Sequence, residues 1–445
     1  MKKKIFFCFL ILSAFSLCYA DDKKFIKEKD TIKKEFLKEK DRNDILKVFN
    51  STPEPEGGVL NNIAKSVIFD IKGNPFLVLP IVNTSKDLGI DWGFMPVLML
   101  KGKNDSISSV IAPSITKNAD LGYTYAYRHY FFPTEKSLIV ARGYLSEHVQ
   151  REVFFHYYNP EILGSNIRLN AELRDWHNPK SSFYGYGIDS KKSNGANYTY
   201  YLKGGEFSLS LPLFKNVYFD YTPSYYQNKA ENGIFTNKKF SDSFPVEYSM
   251  YNSYKSFFTN RFSILFDNTD HPFIPKIGTY FIFSGAFSKK GLLSDYDYSI
   301  YTLELKDYYN YKLLDKSITA VRFLLQWQTG DDIPFYNMPQ LGESTGLREA
   351  GDGRFVDRAK MVLNIEQRFT IVKQSVMKFL TELEVSPFID IGTVAPSLSK
   401  ISTGDLKYGP GLALRIVLRP QIVGTAEFAF GSEGMNTIVK INYPF

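Results

Sequence analysis

Residues 342–346, Gly342-Glu343-Ser344-Thr345-Gly346, fit the G-x-S-x-G spacing that puts a nucleophilic serine on a sharp strand-to-helix turn. Such a serine works only with an acid and then a histidine base supplied later in the chain. The five histidines, His129, His148, His156, His177 and His271, all precede Ser344. After Ser344 come a glycine-rich stretch and then the alternating run "AKMVLNIEQRF", not an amphipathic helix. Catalysis by Ser344 is therefore not expected, and the chain is read as no enzyme. The histidines show no H-E-x-x-H or other metal-ligand spacing, and no phosphate-binding or dinucleotide fingerprint occurs. No catalytic, cofactor-binding or metal residue is assigned, and no cofactor is expected.

The elements that position these residues begin after a leader. Lys2, Lys3 and Lys4 form a basic start, Ile5 to Tyr19 is apolar, and Cys18-Tyr19-Ala20 places small residues at −3 and −1. This reads as a secretory signal peptide over 1–20, cleaved before Asp21; the run is short for a membrane anchor. Cys8 and Cys18, the two cysteines, leave with it, so the mature chain has neither disulfides nor thiolate chemistry. The formal charge of +7 falls to +4 without the three leader lysines, too mild to indicate nucleic acid. Residues 21–74 read as a charged periplasmic arm and linker, dense in Lys, Asp and Glu and broken by Pro53-Glu54-Pro55 and Gly57-Gly58.

From residue 75 to 445 the text alternates. Segments of about ten residues, such as "NIRLNAELRDW", "RFSILFDN" and "GTYFIFSGAF", are divided by Gly, Pro, Asn, Asp and Ser. Thr319, Val321, Phe323, Leu325 and Trp327 share one face of their segment, with Arg322 and Gln326 on the other. Aromatic residues make up 16% of the chain, beside a negative mean hydropathy. No stretch after residue 20 is apolar for long enough to be a membrane helix. A soluble β-sandwich also alternates, but its strands are usually shorter. The expected fold is all-β: a closed antiparallel transmembrane β-barrel of about sixteen strands, apolar to lipid and polar to lumen, with a short charged N-terminal arm. The last strand carries Val439, Ile441 and Tyr443 two residues apart and ends on Phe445. Ile441, Tyr443 and Phe445 are read as one apolar, aromatic-tipped face, similar to the C-terminal signal that assembly machinery reads on exported barrels.

The stretch "LGESTGLREAGDGRFVDRAKMVLNIEQRF" followed by "SPFIDIG" resembles the bacterial surface antigen family, the superfamily of BamA, TamA and the two-partner-secretion translocators. In that family a long extracellular loop with an Arg-Gly-aromatic motif folds into the lumen, and a later strand carries Phe-x-Asp-x-Gly. Phe388-Ile389-Asp390-Ile391-Gly392 matches the second motif in full. Asn364-Ile365-Glu366-Gln367-Arg368-Phe369 is similar to the strand between, and "FDNTDHPFIPKIGTYF" and "YGPGLALRI" are similar to two further family stretches. At the loop tip Arg348-Glu349-Ala350 keeps the arginine and replaces the glycine and the aromatic. The resemblance implies that Arg348 locks the loop against Asp390 first and Glu366 second, with Phe388, Gly392 and Gly346 supporting the motif. The alternative is that Arg348 is an ordinary solvated loop charge.

Residues 21–74 are too few and too charged for the family's polypeptide-transport-associated domains, so a barrel-only member is expected. Two functions stay open. One is insertion or translocation of polypeptide or lipid through a barrel that opens between its first and last strands. The other is a porin-like or structural surface barrel that moves no protein. The partners implied are outer-membrane lipid, the barrel-assembly machinery during biogenesis, and client polypeptides or a periplasmic adaptor. The location implied is the bacterial outer membrane.

Overall fold

The computed structural model describes residues 68–85, 89–102, 107–134, 137–234, 238–271, 274–310, 317–331, 333–376, 379–418, 422–441 and 443–445. The leader read at 1–20 and the arm ahead of Ile68 lie outside the described residues. The sheet begins a little before residue 75. Lys72 and Gly73, both at positive φ, turn β1 (Ile68–Ile71) back onto β2 (Asn74–Ser85).

The chain then runs as an antiparallel meander. It passes through β3 (Gly89–Lys101), β4 (Ile107–Ile111), β5 (Ser114–Asn118), β6 (Gly122–Phe131), β7 (Leu138–Ser146), β8 (Arg151–Asn159) and β9 (Arg168–Phe183). It continues through β10 (Ala196–Phe214), β11 (Val217–Asn232), β12 (Lys255–Asp267), β13 (Gly278–Ser288), β14 (Tyr298–Asn310) and β15 (Ser317–Gly330). A long loop holds the two-residue strands β16 (Gln340–Leu341) and β17 (Phe355–Val356), which pair with each other. The wall resumes with β18 (Ala359–Val376), paired to β15, then β19 (Phe379–Ala395), β20 (Lys407–Leu418), β21 (Ile422–Gly431) and β22 (Gly434–Ile441). β22 lies beside β2, but no hydrogen-bonded ladder joins the two among the described residues.

Every segment in which alternation is clear forms a strand. With β4 and β5 taken as one interrupted strand, the described wall from β2 to β22 has eighteen strand positions, against about sixteen expected. The positions that alternation does not mark are β2, β4 with β5, and β8. β2 carries two prolines, β4 and β5 are split at Ala112-Pro113, and β8 reads "REVFFHYYN", a continuous aromatic run rather than an alternating one.

The pleat sorts side chains as a barrel requires. On β20, Leu412, Leu414 and Ile416 are exposed outward, while Ala413, Arg415 and Val417 are buried inward. The connections also sort by end. The end that carries the C-terminus has turns such as Lys215-Asn216, and the other carries the long loops 184–195, 233–254 and 331–358. Short turns face the periplasm and long loops the exterior, so the second end is the outer one. There, α1 (Phe240–Ser243) and α2 (Pro245–Tyr251) fold over the mouth. Phe183, Tyr198, Phe240, Tyr251, Phe257, Tyr298, Phe335 and Tyr336 pack together as an aromatic cap. Part of the aromatic content therefore closes the outer mouth instead of facing lipid.

Candidate functional site: a loop pinned inside the lumen

Between β16 and β17 the loop 331–358 turns down into the lumen. Leu341, Leu347, Ala350 and Phe355 of the loop are buried against Leu324 of β15, Val362 of β18 and Val394 of β19. Gly346 sits at φ +123°, and a Cβ there would lie 2.6 Å from Val362 Cγ1. Only glycine meets both conditions without strain. Gly392 gives clearance of a different kind: a Cβ on it would fall 2.9 Å from Leu341 Cδ1, so its absence lets the loop lie against β19.

These contacts deliver Arg348 to the wall with a fractional exposure of 2%. Asp390 of β19 grips it twice: Arg348 Nε donates to Oδ2 and Nη2 to Oδ1, both at 2.8 Å. The Arg348 backbone N–H adds a third bond to Oδ2 at 3.0 Å. The remaining terminal nitrogen, Nη1, donates to Glu366 Oε2 at 3.1 Å and to Glu427 Oε1 at 3.0 Å. The guanidinium also lies over the Phe388 ring, 3.3 Å from its centroid. A planar fork with five donors suits this arrangement, in which a lysine would satisfy only one direction. Burial works against charge on Arg348, but Asp390, followed by Glu366 and Glu427, outweighs it and raises the pKa above its ordinary value.

The carboxylates are themselves held. Glu366 of β18 takes both terminal nitrogens of Arg415 (2.7 and 2.9 Å) and Arg368 Nε at 2.8 Å. Arg415 also reaches Glu427 Oε1 at 3.1 Å. Asn364 donates to Asp390 Oδ1 at 2.7 Å and to the Gly346 carbonyl at 2.8 Å; Asn436 of β22 donates to the Arg348 carbonyl at 2.9 Å. Isolated ions would be very costly at this depth, and mutual pairing with further hydrogen bonds is what makes such a cluster tolerable.

The structure thus brings Arg348, Asp390, Glu366, Phe388, Gly392 and Gly346 together. Alternation alone did not single out Glu427, Arg415, Arg368, Asn364 or Asn436. Each is one polar residue on a lumen face, and lumen faces are polar throughout. The altered tip is also placed. Glu349 is buried, and its Oε2 accepts the Glu433 backbone N–H at the β21–β22 turn (3.0 Å). Nearby, Arg354 forms a two-pronged pair with Glu433 (3.0 and 3.1 Å) and donates to Ser190 Oγ at 2.9 Å.

Ser344 can now be placed, and one expectation changes. Ser344 lies in a 3-10 turn, Glu343–Thr345, and its backbone N–H donates to Asp352 Oδ1 at 2.8 Å. The chain then enters the pinned segment rather than a helix, so the turn is not a nucleophile elbow. Tyr443 does not continue the face of Val439. β22 stops at Ile441, and the tail turns inward: Tyr443 Oη donates to Glu384 at 2.8 Å, and Arg368 lies 3.8 Å from its ring centroid. Phe445 comes next, its ring 5.9 Å from the same guanidinium. A cationic wall beyond the strand's last ladder bond captures the aromatic ring that parity alone would send to lipid. The side chain of Ile441 lies outside the described residues.

The Omp85 superfamily domain model matches residues 138–433. The crystal structure of BamA from Haemophilus ducreyi lacking POTRA domains 1-3 aligns with a TM-score of 0.50 at 15% identity, over 82% of this chain and 75% of that one. CdiB from Acinetobacter baumannii aligns with a TM-score of 0.43 at 10% identity, over 83% of this chain and 59% of that one. No curated protein matches by sequence. The family match spans most of the wall and the whole pinned loop, and the likeness to BamA extends to the fold. The chain is an outer-membrane β-barrel that belongs to the Omp85 superfamily.

Proposed function

We propose that this barrel inserts or translocates polypeptide, or lipid, at the outer membrane by opening between β2 and β22. The observation that carries this reading is the position of the pinned loop. Through Arg348 it ties β18, β19 and β21 together, and through Asn436 it reaches β22, the strand at the unladdered seam. Strands without a ladder separate without breaking backbone hydrogen bonds, so the rest of the wall must be held firmly when they part. In this reading the arginine cluster is that brace. Ser344 has no catalytic part, and the chain acts without enzymatic chemistry. The barrel-assembly machinery acts on it during biogenesis, and client polypeptides or a periplasmic adaptor are its working partners.

The test is to place photocrosslinkers at outward positions on the two seam strands, Val78 and Val439, in living cells. Unfolded outer-membrane polypeptides trapped at both positions, and not at Leu303 on the opposite wall, support the reading. Crosslinks to lipid alone would overturn it and leave the porin-like or structural barrel.

A further inference from the structure

The strand register aligns the outward side chains of β8 to β12 into rows. Nearest the outer end, Arg151, His177, Tyr201 and Lys229 are successive register partners. One step inward come Val153, Asp175, Lys203, Gln227 and Ser256. The row after that is Phe155, Leu173, Gly205, Tyr225 and Phe258, and from there the outer face is largely apolar. Strands β9, β10 and β11 run for 16, 19 and 16 residues. A crossing needs only about 9–11, so their outer ends emerge from the hydrocarbon at headgroup level.

Three cations gather at that boundary. Lys203 Nζ lies 4.2 Å from the Tyr254 ring centroid, and Lys229 Nζ lies 5.0 Å from the same ring and 4.3 Å from that of Tyr201. Tyr254 is itself exposed. The facing carboxylates are committed: Asp175 to Arg151 (3.4 Å) and His177 (3.5 Å), and Glu231 to Lys229. Lys203 forms no ion pair among the described residues. On the neighbouring strands β13 to β15 the outward row Phe287, Ser299 and Thr329 carries no charge. Beside and below the cations, Val153 and Leu173 are 68% and 63% exposed, a surface fit for acyl chains.

We propose that Lys203 and Lys229, flanking Tyr254, with Arg151 in the same outer row as Lys229, form an exterior binding site for the phosphate groups of an anionic lipid in the outer leaflet. A membrane-facing ammonium without a protein counter-ion draws one from the headgroup layer, and continuity with the apolar wall selects a lipid over a free anion. The site rests on the outer-membrane barrel reading and would anchor the outer ends of the long strands β9 to β11.

The test uses the full chain, purified in detergent and checked for heat-modifiable migration. Native mass spectrometry then measures retention of bisphosphorylated lipid A and of the same glycolipid with its phosphates removed. The wild type should retain the phosphorylated lipid preferentially. Lys203→Ala with Lys229→Ala should bind it roughly thirtyfold more weakly, and the two lysine-to-arginine changes should keep it. Lys203→Ala alone breaks no ion pair and should still lose several-fold. Equal retention by the alanine variants, or of the phosphate-free lipid, would overturn the site. Displacement by equimolar inorganic phosphate would overturn the choice of a lipid. A chain that migrates as a barrel yet shows no phosphate dependence sinks this site alone; soluble recovery without detergent sinks the membrane reading and the site with it.

Discussion

Arg348 touches three carboxylates, so the consequence of removing any one depends on what the others then face. Arg348→Ala leaves Asp390 without its two-pronged partner, and Asp390→Ala leaves a buried guanidinium with half its bonds unmet. Each should cost about 3–5 kcal/mol of loop anchoring. The double variant should be little worse than either alone, because the pair acts as a unit. Protease access to 331–358 in intact cells, read across the cycle, checks this; fully additive effects would show that the two residues do not act together. Glu366→Ala should loosen more than the loop, since Arg348, Arg368 and Arg415 all converge on it. Its barrel should lose heat-modifiable migration at a lower temperature than Asp390→Ala does. Gly346→Val should displace the loop with every charge kept, because a Cβ meets Val362. Arg348, Asp390 and Glu366 were legible because a family pattern names them. Arg415 stood in a stretch similar to the family's but with no partner named, and Glu427 was not legible at all, since nothing in a lone lumen-side charge says which distant strand it faces.

At the level of elements, the end of the chain separates two roles for one residue. Phe445 ends the C-terminal segment that must be recognised before the barrel closes, yet in the folded barrel its ring lies near Arg368. Deleting it should lower the yield in cells and leave refolding into detergent micelles largely intact; equal loss in both would make it merely structural. Tyr443→Phe removes one hydrogen bond to Glu384 while keeping the ring over Arg368. A loss of about 1 kcal/mol is expected, seen as a small drop in the melting temperature of the refolded barrel. The strands that segment reading passed over have identifiable causes. Alternation is visible only where a strand is uninterrupted and its two faces differ in polarity; prolines break β2 and the β4–β5 strand, and β8 is aromatic on both faces.

The molecule as a whole is a wall whose outer mouth is closed by aromatic packing and whose lumen is crossed by a pinned loop. Planar-bilayer recordings should therefore show small, fluctuating conductance. Large stable channels would mean that the cap and loop do not occlude the lumen. Semi-native gels should show heat-modifiable migration, with Tyr336→Ala the more temperature-sensitive form. Burial raises the Tyr336 pKa well above its ordinary value, so the cap should keep its hydroxyl neutral even in alkaline solution.

The sequence by itself determined the class of this protein. A period of two over ten-residue segments admits one membrane solution, because in hydrocarbon every backbone group must be paired. The residues of the loop lock were legible only through the family resemblance, because burial of their charges cannot be read from the sequence. The tertiary structure alone decided how many carboxylates share Arg348, since Glu427 lies far along the chain and meets it only once the wall has curved round. It alone decided that Tyr443 turns to the lumen, because parity stops where the ladder stops. It alone divided the aromatic residues between lipid and cap, because a phenyl ring is equally at home in either apolar setting.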